Sequence, residues 1–210
     1  MKDQALIQLL STRFNAHTIL LYGSRARGDA TEQSDWDVTC VAPVKEARHY
    51  GTLEDNTFLD VFVYPALDAP SPDDLRMLGS RILKDDLGLA QPYLASLAAL
   101  DARGPLPMPN HQREMERTWI TKMVERARRD DLEACYRRHW LLKDLLEYAF
   151  TLRNQWFRGP KAALKVLAQE NPHLHSLFAA ALQPGAPFSS IERLAAAVRE
   201  LTPQCGSPPG

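Results

Sequence analysis

Cysteine is scarce in this chain. Cys40, Cys135 and Cys205 are the only three in 210 residues, odd in number and far apart. That excludes a disulfide framework, and they read as reduced thiols of a cytoplasmic protein. Long apolar runs are missing too. None approaches 18 residues, so no transmembrane helix is expected. The opening "MKDQALIQLLSTRF" lacks the layout of a secretory signal. There is no basic excess: 25 Lys and Arg face 26 Asp and Glu, a formal net charge of -1. Proteins that grip nucleic acid generally, by neutralising phosphates, carry surplus positive charge. That class is excluded, although one small basic pocket is not. No internal repeat is visible.

What is present divides near the middle. Residues 1–103 mix short β-rich runs with helical stretches. The segment 104–112, rich in proline, reads as a linker. Residues 113–202 are strongly helical, and 203–210 read as a tail. In the first part, helical spacing of Leu6, Leu9 and Leu10 predicts a helix over 3–13. Strands are expected over 18–22, 37–42, 58–64 and 81–84, with helices over 73–79 and 89–102. Strands with interspersed helices make a small α/β or α+β domain.

The chemistry gathers in "LLYGSRARGDATEQSDWDVTC" (20–40). Alternate residues of a strand share a face, so Asp35 and Asp37 can converge while Trp36 points into packing. Two close carboxylates repel each other, which raises a pKa or recruits a cation. Oxygen ligands suit Mg²⁺. Asp60 interrupts the apolar run "FLDVFVY" (58–64) and becomes a third ligand if the two strands are neighbours. Gly23 permits close backbone approach. Ser24 offers a hydroxyl, and Arg25 and Arg27 offer charge for a triphosphate. A phosphate cradle facing a carboxylate cluster suits in-line displacement on a nucleotide phosphate.

"GSRARGDATEQSDWD", followed by "LDVFVY", resembles the nucleotidyltransferase superfamily that shares the DNA polymerase β palm. Its pattern is Gly-Ser, a spacer, Asp-x-Asp, then an acid on a following strand: Gly23, Ser24, Asp35, Asp37 and Asp60 here. The resemblance implies a small mixed sheet flanked by helices, α+β overall. It implies transfer of a nucleoside monophosphate from a triphosphate, with ATP the favoured donor. "GSRARGDATEQSD" is also similar to the minimal nucleotidyltransferase antitoxins, which modify a partner toxin protein.

The second half bears on the acceptor. Met115, Trp119, Met123 and Ala127 predict one apolar helix face. A long helix is expected over 132–157, its buried stripe running through Trp140, Leu141, Leu145, Ala149, Leu152 and Trp156. Shorter helical segments are expected over 161–170, 173–182 and 188–201, giving a helical bundle. Within it, "LKDLLEYAFTLRNQWFRGP" (142–160) resembles the C-terminal domain of the kanamycin nucleotidyltransferases, through Leu-x-Glu-Tyr-Ala, Arg-Asn and Gly-Pro. That resemblance implies Glu147 as general base toward a hydroxylated small-molecule acceptor such as an aminoglycoside. It also implies a homodimer whose base comes from the partner. Read from spacing alone, Glu147 and Lys143 form an i,i+4 surface pair. Where the related enzymes carry a phosphate-binding lysine this chain has Thr151, and Arg153 or Lys143 is expected in its stead. "HLH" (173–175) reads as solvated or capping histidines rather than a metal site. Arg153-Asn154 lacks the following histidine of toxin-like ribonucleases.

Overall fold

The apolar run Thr18–Tyr22 forms strand β1, buried along its whole length. Around it the computed structural model, which describes residues 2–54 and 56–203, builds a five-stranded sheet. Helix α1 (Asp3–Phe14) precedes β1 and helix α2 (Gly23–Arg27) follows it. Then come β2 (Trp36–Val41), β3 (Arg48–Glu54), β4 (Thr57–Tyr64), a 3₁₀ turn over Pro72–Met77, β5 (Arg81–Asp85) and α3 (Ala90–Arg103). The strand order is β3-β4-β2-β1-β5. β2 and β4 run parallel and every other pair is antiparallel. This is the mixed sheet expected of an α+β polymerase β-like domain.

The sheet has two unlike faces because strand side chains alternate. One face carries Ile19, Leu21, Trp36, Val38, Cys40, Leu59, Val61 and Val63, which bury against Leu6 and Leu10 of α1. Burial pushes the Cys40 thiol up to about 12, so it stays protonated. The other face carries Tyr22, Asp37, Thr39, Asp60, Phe62 and Tyr64. The 3₁₀ turn caps part of it, where Thr39 Oγ1 donates to Met77 Sδ at 3.1 Å. That turn, in place of the helix expected over 73–79, has a capping box: Ser71 and Asp74 satisfy each other's backbone and side-chain groups.

β3 is absent from the sequence reading. Its residues, RHYGTLE, are mostly polar, and it lies at the sheet edge, where charged side chains face water without cost. Asn56, in the left-handed region at φ 60°, belongs to the connection into β4.

The chain divides into two compact units between Arg103 and Gly104. The second is a bundle of α4 (Asn110–Ala127), α5 (Leu132–Thr151), α6 (Pro160–Glu170), α7 (Pro172–Ala181) and α8 (Phe188–Arg199). α4 begins inside the segment expected as linker. Its buried line is Arg113, Ile120, Met123 and Ala127; Met115 is exposed at 62%. The apolar face is therefore rotated from the expected one, since a buried arginine replaces the methionine. On α5 the buried residues include Leu141, Leu145, Leu146, Ala149 and Phe150, whereas Trp140 is 39% exposed. Residues 204–210, with Cys205 and most of the expected tail, lie outside the described residues. No helix among the described residues is long and apolar enough to cross a membrane.

α5 stops at Thr151, six residues short of the expected 157. The arrest is local. Arg153 N and Gln155 N both turn back to the Phe150 carbonyl, and Asn154 takes the left-handed region at φ 57°, which asparagine tolerates better than most residues. Asn154 Oδ1 then accepts from Met108 N (3.0 Å) and from Arg113 Nη2 (3.1 Å). Arg113, 6% exposed, also donates to the Met108 carbonyl. One amide oxygen thus ties the entry of α4 to the exit of α5. Asn154→Ala would orphan two donors and strain the backbone. Its expected cost is about 1–3 kcal/mol, read as a lowered urea midpoint by circular dichroism.

Candidate active site

Register brings two acids together. In the parallel β2–β4 pair Asp37 is directly opposite Asp60, and in the antiparallel β1–β2 pair Tyr22 is opposite Asp37. All three side chains project from the face that α1 does not cover. Asp60 is therefore the in-register neighbour of the Asp-x-Asp strand.

Gly23 sits at the junction of β1 and α2 with φ 71°. A β-carbon there would stand 2.1 Å from Asp37 Oδ2. The Asp37 carboxylate therefore packs against bare backbone, and any side chain at 23 would displace it. Ser24 follows, 8% exposed, and its carbonyl accepts from Gly28 N and Asp29 N at the close of the turn.

The two arginines divide their work. Arg25 turns toward the loop ahead of β2. Its Nε donates to the carbonyls of Ser34 (3.0 Å) and Asp35 (3.1 Å), and its guanidinium lies over the Trp36 ring at 4.5 Å. It clamps the backbone that carries Asp35. Arg27 is exposed and pairs with Asp29 at 3.4 Å. Asp35 is exposed and lies just before β2 begins. Among the described residues, no three His, Cys, Asp or Glu side chains are grouped tightly enough to hold a metal ion. Of the three expected acids, Asp37 and Asp60 are paired in register. Asp60 also bonds sideways to a histidine.

That histidine is His49 of β3, whose Nε2 pairs with Asp60 Oδ1. Its ring stacks on Phe62 with centroids 4.5 Å apart. Arg76, from the 3₁₀ turn, lies over Phe62 at 4.2 Å and donates through Nη2 to the Tyr64 hydroxyl at 3.1 Å. Burial, aided by Asp37, Asp60 and Tyr64, pushes the Tyr22 phenol well above its usual range, and Arg76 opposes the shift. Tyr22 thus stays a neutral hydroxyl beside the acids. Sequence reasoning missed His49, Phe62, Tyr64 and Arg76. The one available signal was parity: residues 60, 62 and 64 share a strand face.

In the helical unit Glu147 is exposed on α5. Lys143 does not pair with it; its Nζ meets Asp144 Oδ1 at 3.7 Å instead. Next to it the Tyr148 phenol is pushed up by burial and by a hydrogen bond to Glu116. Arg153 is packed inside this unit, 4% exposed, with Nε donating to the Ala149 carbonyl at 2.6 Å. It therefore does not present its guanidinium at a surface.

The donors at Asp37 and Asp60 are carboxylate oxygens, the chemistry of a hard divalent cation. Gly23 gives the Asp37 carboxylate the space that a β-carbon would fill. The pair fits such an ion.

Residues 4–63 match the family described as "Polymerase beta, Nucleotidyltransferase". No curated protein matches the chain. Among solved structures it is similar to a nucleotidyltransferase-like protein from Exiguobacterium sibiricum, at 14% identity and a TM-score of 0.40, over 94% of this chain and 73% of that one. The N-terminal unit is a polymerase β-like nucleotidyltransferase domain.

Two variants probe this geometry. Gly23→Ala should abolish transfer, because the new methyl would occupy the Asp37 carboxylate, while circular dichroism stays near wild type. Arg25→Met should loosen the Asp35 loop and lower transfer by about tenfold or more, a loss of charge-assisted bonds to two carbonyls. Free guanidinium should rescue this variant in part. Wild-type transfer by Arg25→Met would show that the clamp is dispensable.

Proposed function

We propose that this nucleotidyltransferase moves AMP from Mg²⁺-ATP to a hydroxyl of a small-molecule acceptor, with aminoglycoside-type antibiotics the leading class. The observation that carries the reading is the in-register Asp37–Asp60 pair, with Asp37 packed against Gly23. A divalent ion held there by Asp37 and Asp60, with Asp35 joining from its loop, supplies charge neutralisation to the triphosphate. Everything else is done by the chain. Gly23 exposes backbone on which phosphate can approach, and Ser24 lends a hydroxyl. Arg27, exposed and paired with Asp29, is the arginine of the two that faces solvent where phosphate can meet it. Arg25 keeps the Asp35 loop in place.

Glu147 takes the acceptor's proton. Its exposure and the diversion of Lys143 to Asp144 leave its carboxylate toward solvent, where an acceptor can meet it. The support for this role is the likeness of 142–160 to the kanamycin nucleotidyltransferases, which also favours a homodimer. Arg153 has no part in this reading, because its guanidinium is packed in the helical core.

Labelled ATP offered against a panel of aminoglycosides, lincosamides and whole lysate identifies the acceptor. Label on a protein band rather than on a small molecule would replace the acceptor class with a protein substrate. With the acceptor in hand, Glu147→Gln should keep Mg²⁺-ATP affinity near wild type by calorimetry yet lower single-turnover transfer by about 10²-fold or more. Asp37→Ala should lose both nucleotide binding and transfer. A wild-type rate in Glu147→Gln removes the base assignment and leaves the acid pair standing.

A further inference from the structure

Asp60 stands between two strands. On the β2 side its in-register neighbour is Asp37. On the β3 side the position directly opposite is Gly51, which has no side chain to offer, and the Phe58 ring comes within 2.9 Å of where a β-carbon would be. The β3 side chain that does reach Asp60 comes from the diagonal position. His49 is opposite Phe62, two residues along on the same face, and its Nε2 pairs with Asp60 Oδ1. Diagonal neighbours on one face of an antiparallel pair are within reach of aromatic side chains.

The imidazole is held from below. Its ring stacks on Phe62 with 4.5 Å between centroids and 15° between planes, and Arg76 lies over the same Phe62 ring at 4.2 Å. The donor therefore meets Asp60 in a direction set by the stack. A surface pair usually gains little, because two mobile side chains must be ordered to make it. Here stacking has already ordered one of the two. The bond engages a single carboxylate oxygen, and a carboxylate has a second one to give a cation.

We propose that His49 is a positioning residue for the divalent ion: it fixes the rotation of the Asp60 carboxylate, taking Oδ1 and leaving Oδ2 to the metal. This rests on the reading of Asp37 and Asp60 as the pair that holds the ion. Carboxylates that ligate a metal are themselves hydrogen-bonded by outer groups, and loss of such a group typically weakens metal binding by about 10–100-fold. An imidazole in its neutral form donates through one N–H and adds no positive charge to oppose a cation.

The probe is Mn²⁺ with a non-hydrolysable ATP analogue, added at pH 8 to an excess of the full-length protein. Electron paramagnetic resonance separates protein-bound from unbound Mn²⁺. His49→Phe keeps a ring on Phe62 and removes the donor, and its Mn²⁺ affinity should fall by about tenfold or more. His49→Gln keeps an N–H donor and should recover most of that loss, which a role in packing alone would not allow. The His49 side chain is 56% exposed, so both variants should fold, with circular dichroism as the check. Mn²⁺ binding by His49→Phe equal to or tighter than wild type overturns the proposal, and so does a His49→Gln no better than His49→Phe. Asp37→Ala separates the two readings. If it loses Mn²⁺ while His49→Phe does not, the metal pair stands and the positioning role falls. Wild-type Mn²⁺ binding by Asp37→Ala removes the metal pair itself, and the role of His49 with it.

Discussion

Everything at the acid site depends on a missing atom. Asp37 can occupy its place on β2 only because residue 23 has no β-carbon, and Gly23 can hold φ 71° only because it is glycine. The same position ends β1 and starts α2, so one residue sets the strand exit, the turn and the seat of a carboxylate. The parallel register of β2 and β4 then places Asp60 without further adjustment. Arg25, one turn further, holds the loop that returns the chain to β2. The Gly-Ser-Arg run is thus less a phosphate-binding string than the frame around which the acids are hung.

What could be read beforehand followed from strong local signals. β1 is β-branched and apolar, is buried throughout and has the predicted bounds; in β4 Asp60 stood out as the only acid. The Asp-x-Asp spacing needed only strand parity. What escaped notice depended on tertiary neighbours. β3 is a polar edge strand, whose ladder partner supplies the order its side chains do not advertise. His49 and Arg76 reach the site from an edge strand and a 3₁₀ turn, and no spacing rule links either of them to Asp60. Arg25 looked like a ligand for phosphate because charge is visible in a sequence while direction is not.

The helical unit teaches the same lesson through Arg113, Arg153 and Asn154. In sequence they are polar residues beside apolar stripes, natural candidates for surface or substrate. In the fold Arg113 and Arg153 are buried, and Asn154 terminates α5 and binds the α4 entry. A stripe calculation assigns polar residues to water and so rotates α4 away from its true packing face. Burial of long cationic side chains is tolerated here because backbone carbonyls at helix ends, otherwise unsatisfied, receive their protons.

The β3–β4 hairpin also bears on how the acid pair comes into being. β3 and β4 are consecutive in the chain, and His49 and Asp60 sit on them eleven residues apart. The pairing of β4 with β2 spans a longer loop, whose closure costs more chain entropy. Asp60 therefore has its imidazole partner on its own hairpin, at short sequence separation. The polar edge strand that sequence patterning overlooked is, in folding terms, the escort of the second acid.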